Sequence, residues 1–328
     1  MQYPANTDTS YMNSGNGKTA CTSPVIQARV RAGMTVGELV AEMGKAGAYN
    51  GGYLARATDI CTEMFSDAET TRFVGFAGAM VPGGMGGIVE DLIRDGYVDV
   101  LVSTGANMTH DTIEAIGCHH YHGTEICDDE ELYEEEINRI YDIYLPSDAF
   151  VRFEGFMQET LEELADGTTL SISALLRHIG EHLDTGILAA AAEADIPIYC
   201  PAIQDSMIGL QYWLFNQMHK VTIDAFGDMS HMMDICFNAK RAGAFLIGGG
   251  VPKNYIFQSM LMTPKGFDYA VQLTGDRPDL GGLSGATLDE AKSWGKVTGE
   301  AHAQTVYGDA TITLPLIIAA MRERIEHA

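Results

Sequence analysis

The chain has 328 residues and a mass of 35.5 kDa, with 45 acidic against 20 basic side chains and a formal net charge of −25. Scattered, outnumbered cations exclude a general nucleic-acid binder, which neutralises phosphates with clustered Lys and Arg, and disfavour an anionic membrane surface. With 46% hydrophobic residues the composition is globular and the chain can bury a large core, so the acidity reads as a solvated surface, suited to a salty cytoplasm and open to cationic ligands.

Residues 1–34 are rich in Gly, Ser, Thr and Asn and predict a flexible arm ahead of one domain over 35–328. They contain no apolar signal-peptide core, and no apolar run in the chain reaches the length of a membrane span. Within the arm, Ser14 to Thr19 has the tail of a phosphate-binding loop, but Met12 stands where its first glycine belongs and no strand precedes it, so that motif is rejected. The six cysteines show no paired spacing and read as reduced thiols of a cytoplasmic protein.

Helical periodicity covers Leu39 to Met43 and Leu54 to Phe65. Arg72 to Phe76 then reads as a strand, Ala77 to Gly87 as a glycine-rich turn and Ile88 to Asp95 as a helix. Val98 to Val102 is a second buried strand running into Ser103 to Asn107 and another helix. Ile196–Cys200, Val221–Asp224, Ala244–Ile247 and Tyr269–Leu273 are further short apolar strands. Apolar strands alternating with helices predict an α/β fold: a doubly wound, mostly parallel, Rossmann-like sheet with helices on both faces.

Three strand ends are rich in small residues: Gly75 to Gly78, Ser103 to Ala106 and Gly248 to Gly250. Such ends let a backbone approach a pyrophosphate. None spells GxGxxG, and tight turns without a ligand explain the spacing equally well. Cys118 to His122, followed by Cys127 and acidic residues, offers metal-ligand types without a second matching cluster. It reads as a surface loop leading into an acidic helix over 130–141, and no metal is expected. His110 follows the second glycine-rich end and would face the pocket, or serve as a hydrogen-bonding residue near a helix start.

Gly281 to Lys296 is the most informative stretch. Thr287 and Glu290 form a capping pattern, so a short helix should start there and stop near Gly295, projecting Lys296. A lysine desolvated against indole becomes nucleophilic, and Glu290 with Trp294 suits a cationic amine. Spacing alone favours the plainer reading, a lysine complementing a helix dipole.

At these residues the sequence resembles the deoxyhypusine synthase family. The resemblance rests on Gly248 to Lys253, Asp268 to Val271, Leu283 to Ala286, Ser293-Trp294-Gly295-Lys296 and Tyr307 to Ala310. It extends upstream through Val98 to Val102 and Ile137 to Ile140, and so covers about Val36 to Arg324. It implies NAD-dependent transfer of an aminobutyl group from spermidine to a lysine of translation initiation factor 5A, with Lys296 forming the enzyme imine. Family matching then puts NAD at Gly78, Ala79, Met80, Val81, Pro82, Thr104, Gly105, Ala106, His110, Asp205, Gly249, Gly275, Asp276, Asp309 and Ala310. It puts the amine at Glu290, Trp294, Asn254, Gly281, Gly282, Leu283, Thr109 and Leu210, in a homotetramer with sites shared between subunits.

Eukaryotic members carry His at the position of Asn254, acidic residues at Leu210 and Leu283, and Glu at Thr109 and His110. Leucine in place of a carboxylate leaves an ammonium unpaired. The departures therefore leave open a second reading, a homospermidine-synthase-like or agmatine-using transferase acting on a small amine.

Overall fold

The computed structural model describes residues 23–327, so the rejected loop at Ser14 to Thr19 and most of the expected arm lie outside the described residues. Helix α1 (Val36–Ala46) starts where the Thr35 hydroxyl accepts the Glu38 N–H while Glu38 takes the Thr35 N–H; it stops at Gly47, whose φ of 63° suits glycine. There follow α2 (Tyr49–Ser66), β1 (Thr70–Phe76), α3 (Gly86–Arg94), β2 (Val100–Ser103) and α4 (Gly105–Ala115). A small outlying unit comes next: β3 (Tyr121–His122), α5 (Asp129–Glu134), β4 (Ile137–Ile140) and β5 (Ile143–Pro146). The chain continues through α6 (Asp148–Glu162), β6 (Thr169–Ser171), α7 (Ile172–Gly180), α8 (Gly186–Glu193), β7 (Ile198–Tyr199), α9 (Met207–Phe215), β8 (Thr222–Asp224) and α10 (Gly227–Asn238). It closes with β9 (Arg241–Ile247), α11 (Gly250–Met260), β10 (Phe267–Thr274), α12 (Leu288–Ser293), β11 (Val297–Tyr307) and α13 (Ala310–Glu326).

Among the described residues, six strands form one sheet in the order β11-β10-β9-β1-β2-β7, every neighbouring pair parallel. Ranked by position in the chain, that order is the doubly wound dinucleotide-binding order read from one edge. The winding direction reverses between β1 and β9, the place where sheets of this order take a ligand outside the carboxyl ends.

Strand residues alternate between two apolar layers. Val74, Phe76, Phe245 and Ile247 face a core with α2, α3, α4, α8 and α13; Phe73, Ala244 and Leu246 face a second core with α10, α11 and α12. This period of two, buried on both sides, is why these strands read as continuous apolar runs.

Two expectations need correcting, and one strand was not expected. The apolar run at Val221–Asp224 forms β8 but pairs with β6 outside the main sheet. The acidic helix ends at Glu134; Glu136 takes a φ of 58°, and the chain turns into β4, paired antiparallel with β5. Strand β11, absent from the sequence reading, forms one edge of the sheet. No helix among the described residues is long and apolar enough to cross a membrane.

Candidate active site

Most residues expected around the cofactor fall just beyond the carboxyl ends of the parallel strands. Gly78 to Pro82 follow β1, Thr104 to Ala106 follow β2, and Asp205 lies between β7 and α9. Gly249 follows β9, Gly275 and Asp276 follow β10, and Asp309 and Ala310 follow β11. Asn107 ties two of these ends together, donating to the Phe76 carbonyl at 3.3 Å and accepting the Val81 N–H at 3.3 Å. Thr104 caps α4 by accepting the Asn107 N–H, and Asp309 caps α13 by accepting the Thr311 N–H.

Close approach explains the glycines here. A Cβ on Gly249 would lie 2.5 Å from Ser284 Cα, and one on Gly105 would lie 2.4 Å from Ser206 Oγ. Gly78 and Gly248 hold φ values of 88° and 79°, which favour glycine. These glycines therefore let the loops at the strand ends pack closely on Ser284 and Ser206, with the Gly250 N–H donating to Ser284 Oγ at the start of α11.

The amine-side residues are more dispersed. Thr287 accepts the Glu290 N–H and starts α12; the helix stops at Gly295, φ 72°, and the Lys296 N–H returns to the Ala291 carbonyl at 3.0 Å. Lys296 Nζ lies 5.6 Å from the Trp294 ring centroid, and that ring is 62% exposed. Lys296 immediately precedes β11, and its carbonyl accepts the Phe267 N–H where β10 begins. The eight residues of β10 therefore separate its backbone from the level of Gly275, about 26 Å at the usual strand rise. Leu210 and Leu283 are 48% and 45% exposed. Gly281 has a φ of 69°, and Gly281 and Gly282 border open space. Asn254 spans to Gln258 at 3.2 Å, while Thr109 is turned inward, its hydroxyl accepting the Ile208 N–H.

Sequence reasoning missed Lys253. Its ammonium is almost wholly buried and donates to Gln272 Oε1 at 2.9 Å, to the Leu283 carbonyl at 3.4 Å and to the Ala286 carbonyl. Three donors meet three oxygens, fixing the 283–286 loop to α11 and β10. Burial pulls the amine down to about 8; the Glu290 carboxylate opposes that shift, and the charge of Lys296 adds to it. Lys253 is thus within electrostatic reach of Lys296 and Glu290. The lysine ends the Gly248 to Lys253 segment, and nothing in its sequence neighbours signals its burial.

The histidines of the suspected loop have other partners. His119 and His120 both bind Glu114, and Cys118 is buried. Among the described residues, three metal-capable side chains converge within 4.8 Å at Glu163, His178 and His182 instead.

The deoxyhypusine synthase family profile matches residues 38–321. The chain belongs to the deoxyhypusine synthase family. A Methanosarcina acetivorans protein named "Probable deoxyhypusine synthase 1" is 56% identical over 93% of this chain and 96% of its own length. A crystal structure from Entamoeba histolytica named for a deoxyhypusine synthase shares the fold, with a TM-score of 0.60, 18% identity and coverage of 88% of this chain and 93% of that one. The ternary complex of AgrE with ornithine and NAD+ also shares it, with a TM-score of 0.53 and 15% identity, over 83% of this chain and 33% of that one. The family is one of enzymes, aminobutyl transferases, and the α/β sheet is the fold expected of it.

Proposed function

We propose that the chain transfers an aminobutyl group from spermidine to one lysine of translation initiation factor 5A, with NAD as cofactor and Lys296 as the imine-forming residue. The observation that carries this reading is the Trp294–Lys296 pair, held at the rigid end of α12 within a family match spanning most of the chain. The glycine-rich strand ends suit NAD: Gly78, Gly105 and Gly249 lie just beyond the carboxyl ends of β1, β2 and β9, where a parallel sheet of this order takes a dinucleotide. The AgrE structure, a distant match in fold alone, was solved with NAD+. Bound there, NAD would take up and return the hydride.

The chain's own residues do the rest. Trp294 lends Lys296 an aromatic face that favours amines. Lys296 attacks the imine carbon of the oxidised donor, its own C=N bond forms, and diaminopropane leaves with the old one. The target lysine then displaces Lys296 by the same exchange. Glu290 supplies a carboxylate for the cationic groups, and the Lys253 tether holds Leu283 and Ala286 in place.

The homotetramer with shared sites that the family resemblance implies is compatible with this chain, in which the Lys296 backbone and Gly275 lie about eight strand steps apart along the sheet. Exposed Trp213, Leu214, Leu280 and Trp294 give a second copy apolar surface to cover. Such an enzyme acts in the cytoplasm on a free protein factor.

Exposed Leu210 and Leu283 favour a second reading, in which a small amine such as a diamine replaces the protein lysine, or agmatine replaces spermidine. Incubation with NAD, labelled spermidine and the cognate factor separates them. Label on the factor supports the first; label only on a small amine overturns it.

A further inference from the structure

Helix α4 leaves the carboxyl end of β2, among the glycine-rich strand ends, and carries His110 in its second turn, about 7.5 Å beyond Gly105. Four residues on, Glu114 lies on the same face. Beyond the end of the helix the chain turns back at Gly117 and Cys118, so that His120 meets both. Glu114 Oε1 accepts the His120 backbone N–H at 2.8 Å and lies 2.6 Å from His120 Nδ1, while His120 Nε2 lies 2.9 Å from His110 Nδ1. The two rings meet edge to face at 4.9 Å. The other carboxylate oxygen, Oε2, reaches Nδ1 of exposed His119 at 2.9 Å.

Proton positions follow from these partners. Glu114 is held down to about 2 by its bonds to His120 and His119 against the opposing effect of burial, so it is an acceptor. His120 must then carry its proton on Nδ1. Neutral His120 has only a lone pair left at Nε2, so His110 donates from Nδ1 and keeps a lone pair at Nε2. His110 itself is pushed down to about 4, chiefly by burial and then by the charge of His120, with Glu114 opposing, so it rests neutral and would pass a proton on rather than hold it.

We propose that His110, His120 and Glu114 form a proton relay, with His110 Nε2 taking the proton that the donor amine releases on oxidation and imine exchange. It rests on the aminobutyl-transfer reading above. The substrate N–H bond breaks and its electron pair stays on nitrogen. The proton joins His110 Nε2, the Nδ1 proton of His110 moves to His120 Nε2, and the resulting imidazolium is paired with Glu114. The charge ends beside exposed His119, next to solvent. His110 is the accepting group; His120 and Glu114 are positioning residues that act through it. The lone pair on a carboxylate-backed histidine supplies a base where this chain has no acid at position 109 or 110.

Two measurements test it. Nitrogen-15 NMR of labelled histidines in the full-length protein should show a proton on Nδ1 of both His110 and His120, the tautomers their partners dictate. A proton on Nε2 of neutral His120 overturns the relay, whatever the enzyme's substrate. In single-turnover imine formation on Lys296, Glu114→Gln should slow the rate at least about 10-fold and His110→Ala about 100-fold, with amine KM within about twofold. The double variant should be no slower than His110→Ala alone, and added imidazole should restore part of the His120→Ala rate. Additive losses, or a wild-type rate in Glu114→Gln, overturn the relay. Absence of any adduct in the unmutated enzyme overturns the transfer reading instead.

Discussion

The Lys253 ammonium donates to Gln272 Oε1 at 2.9 Å, joining the first turn of α11 to the neighbouring strand β10 in the floor of the site. Gln272 in turn donates to the Gly248 carbonyl at 3.1 Å and the Ser284 carbonyl at 2.8 Å. One buried pair therefore fixes both the glycine-rich end of β9 and the loop that precedes α12. Lys253→Met keeps the bulk and leaves three oxygens short of a donor, so it should cost about 1–3 kcal/mol of stability at pH 7, read by chemical denaturation.

The pH dependence of that variant has a definite sign. Burial lowers the folded-state value of Lys253 to about 8, below the ordinary 10.5, so between those values the unfolded chain binds more protons. Stability of the unmutated protein should rise over that window relative to Lys253→Met and run parallel to it below pH 8. Parallel curves throughout would show that the lysine is not depressed.

Gly249→Ala places a Cβ against the Ser284 backbone, which cannot swing aside as a side chain would. The loop must shift, so NAD affinity by fluorescence titration should fall at least about 10-fold, or about 1.4 kcal/mol, with far-ultraviolet circular dichroism unchanged. Unaltered affinity would place the cofactor elsewhere.

Asp111 caps a helix other than its own. Its carboxylate accepts the Ile187 and Leu188 N–H groups at 2.8 and 2.9 Å where α8 begins, and the Thr185 side chain makes no cap bond. Gly186, φ 95°, clears the way, since a Cβ there would lie 2.9 Å from Asp111 Oδ1. Asp111→Ala should lose about 1–3 kcal/mol and Gly186→Ala a similar amount, by thermal or urea unfolding, without moving the rate per folded molecule.

Leu283→Asp adds an acid on an exposed turn without disturbing the carbonyl that Lys253 holds. If a polyamine ammonium lies there, KM for spermidine should fall several-fold while that for a monoamine stays level. An equal change for both amines would remove Leu283 from the donor site.

The sequence was most legible where both faces of a strand are buried. Residues 73–76 and 244–247 alternate between two apolar cores and so read as unbroken apolar runs. Strand β11 escaped notice because it is an edge: Thr298, Gly299, Glu300 and His302 are polar or small, and the last three are exposed, leaving no apolar pattern. Val221 to Asp224 shows the same apolar signal as a core strand, yet the partner that decides its sheet, Thr169 to Ser171, lies more than fifty residues earlier. At the site, the short helix between Thr287 and Gly295 followed from capping chemistry. The Lys253 and Glu114–His120–His110 networks did not, because burial and a chain reversal bring those groups together and spacing records neither.

Borohydride trapping followed by peptide mass spectrometry tests the central claim most directly. The full-length protein incubated with NAD and spermidine, then reduced, should carry one aminobutyl adduct on Lys296, absent without NAD and absent in Lys296→Ala. An adduct on Lys253, or none on any lysine while the amine is still consumed, would contradict the account.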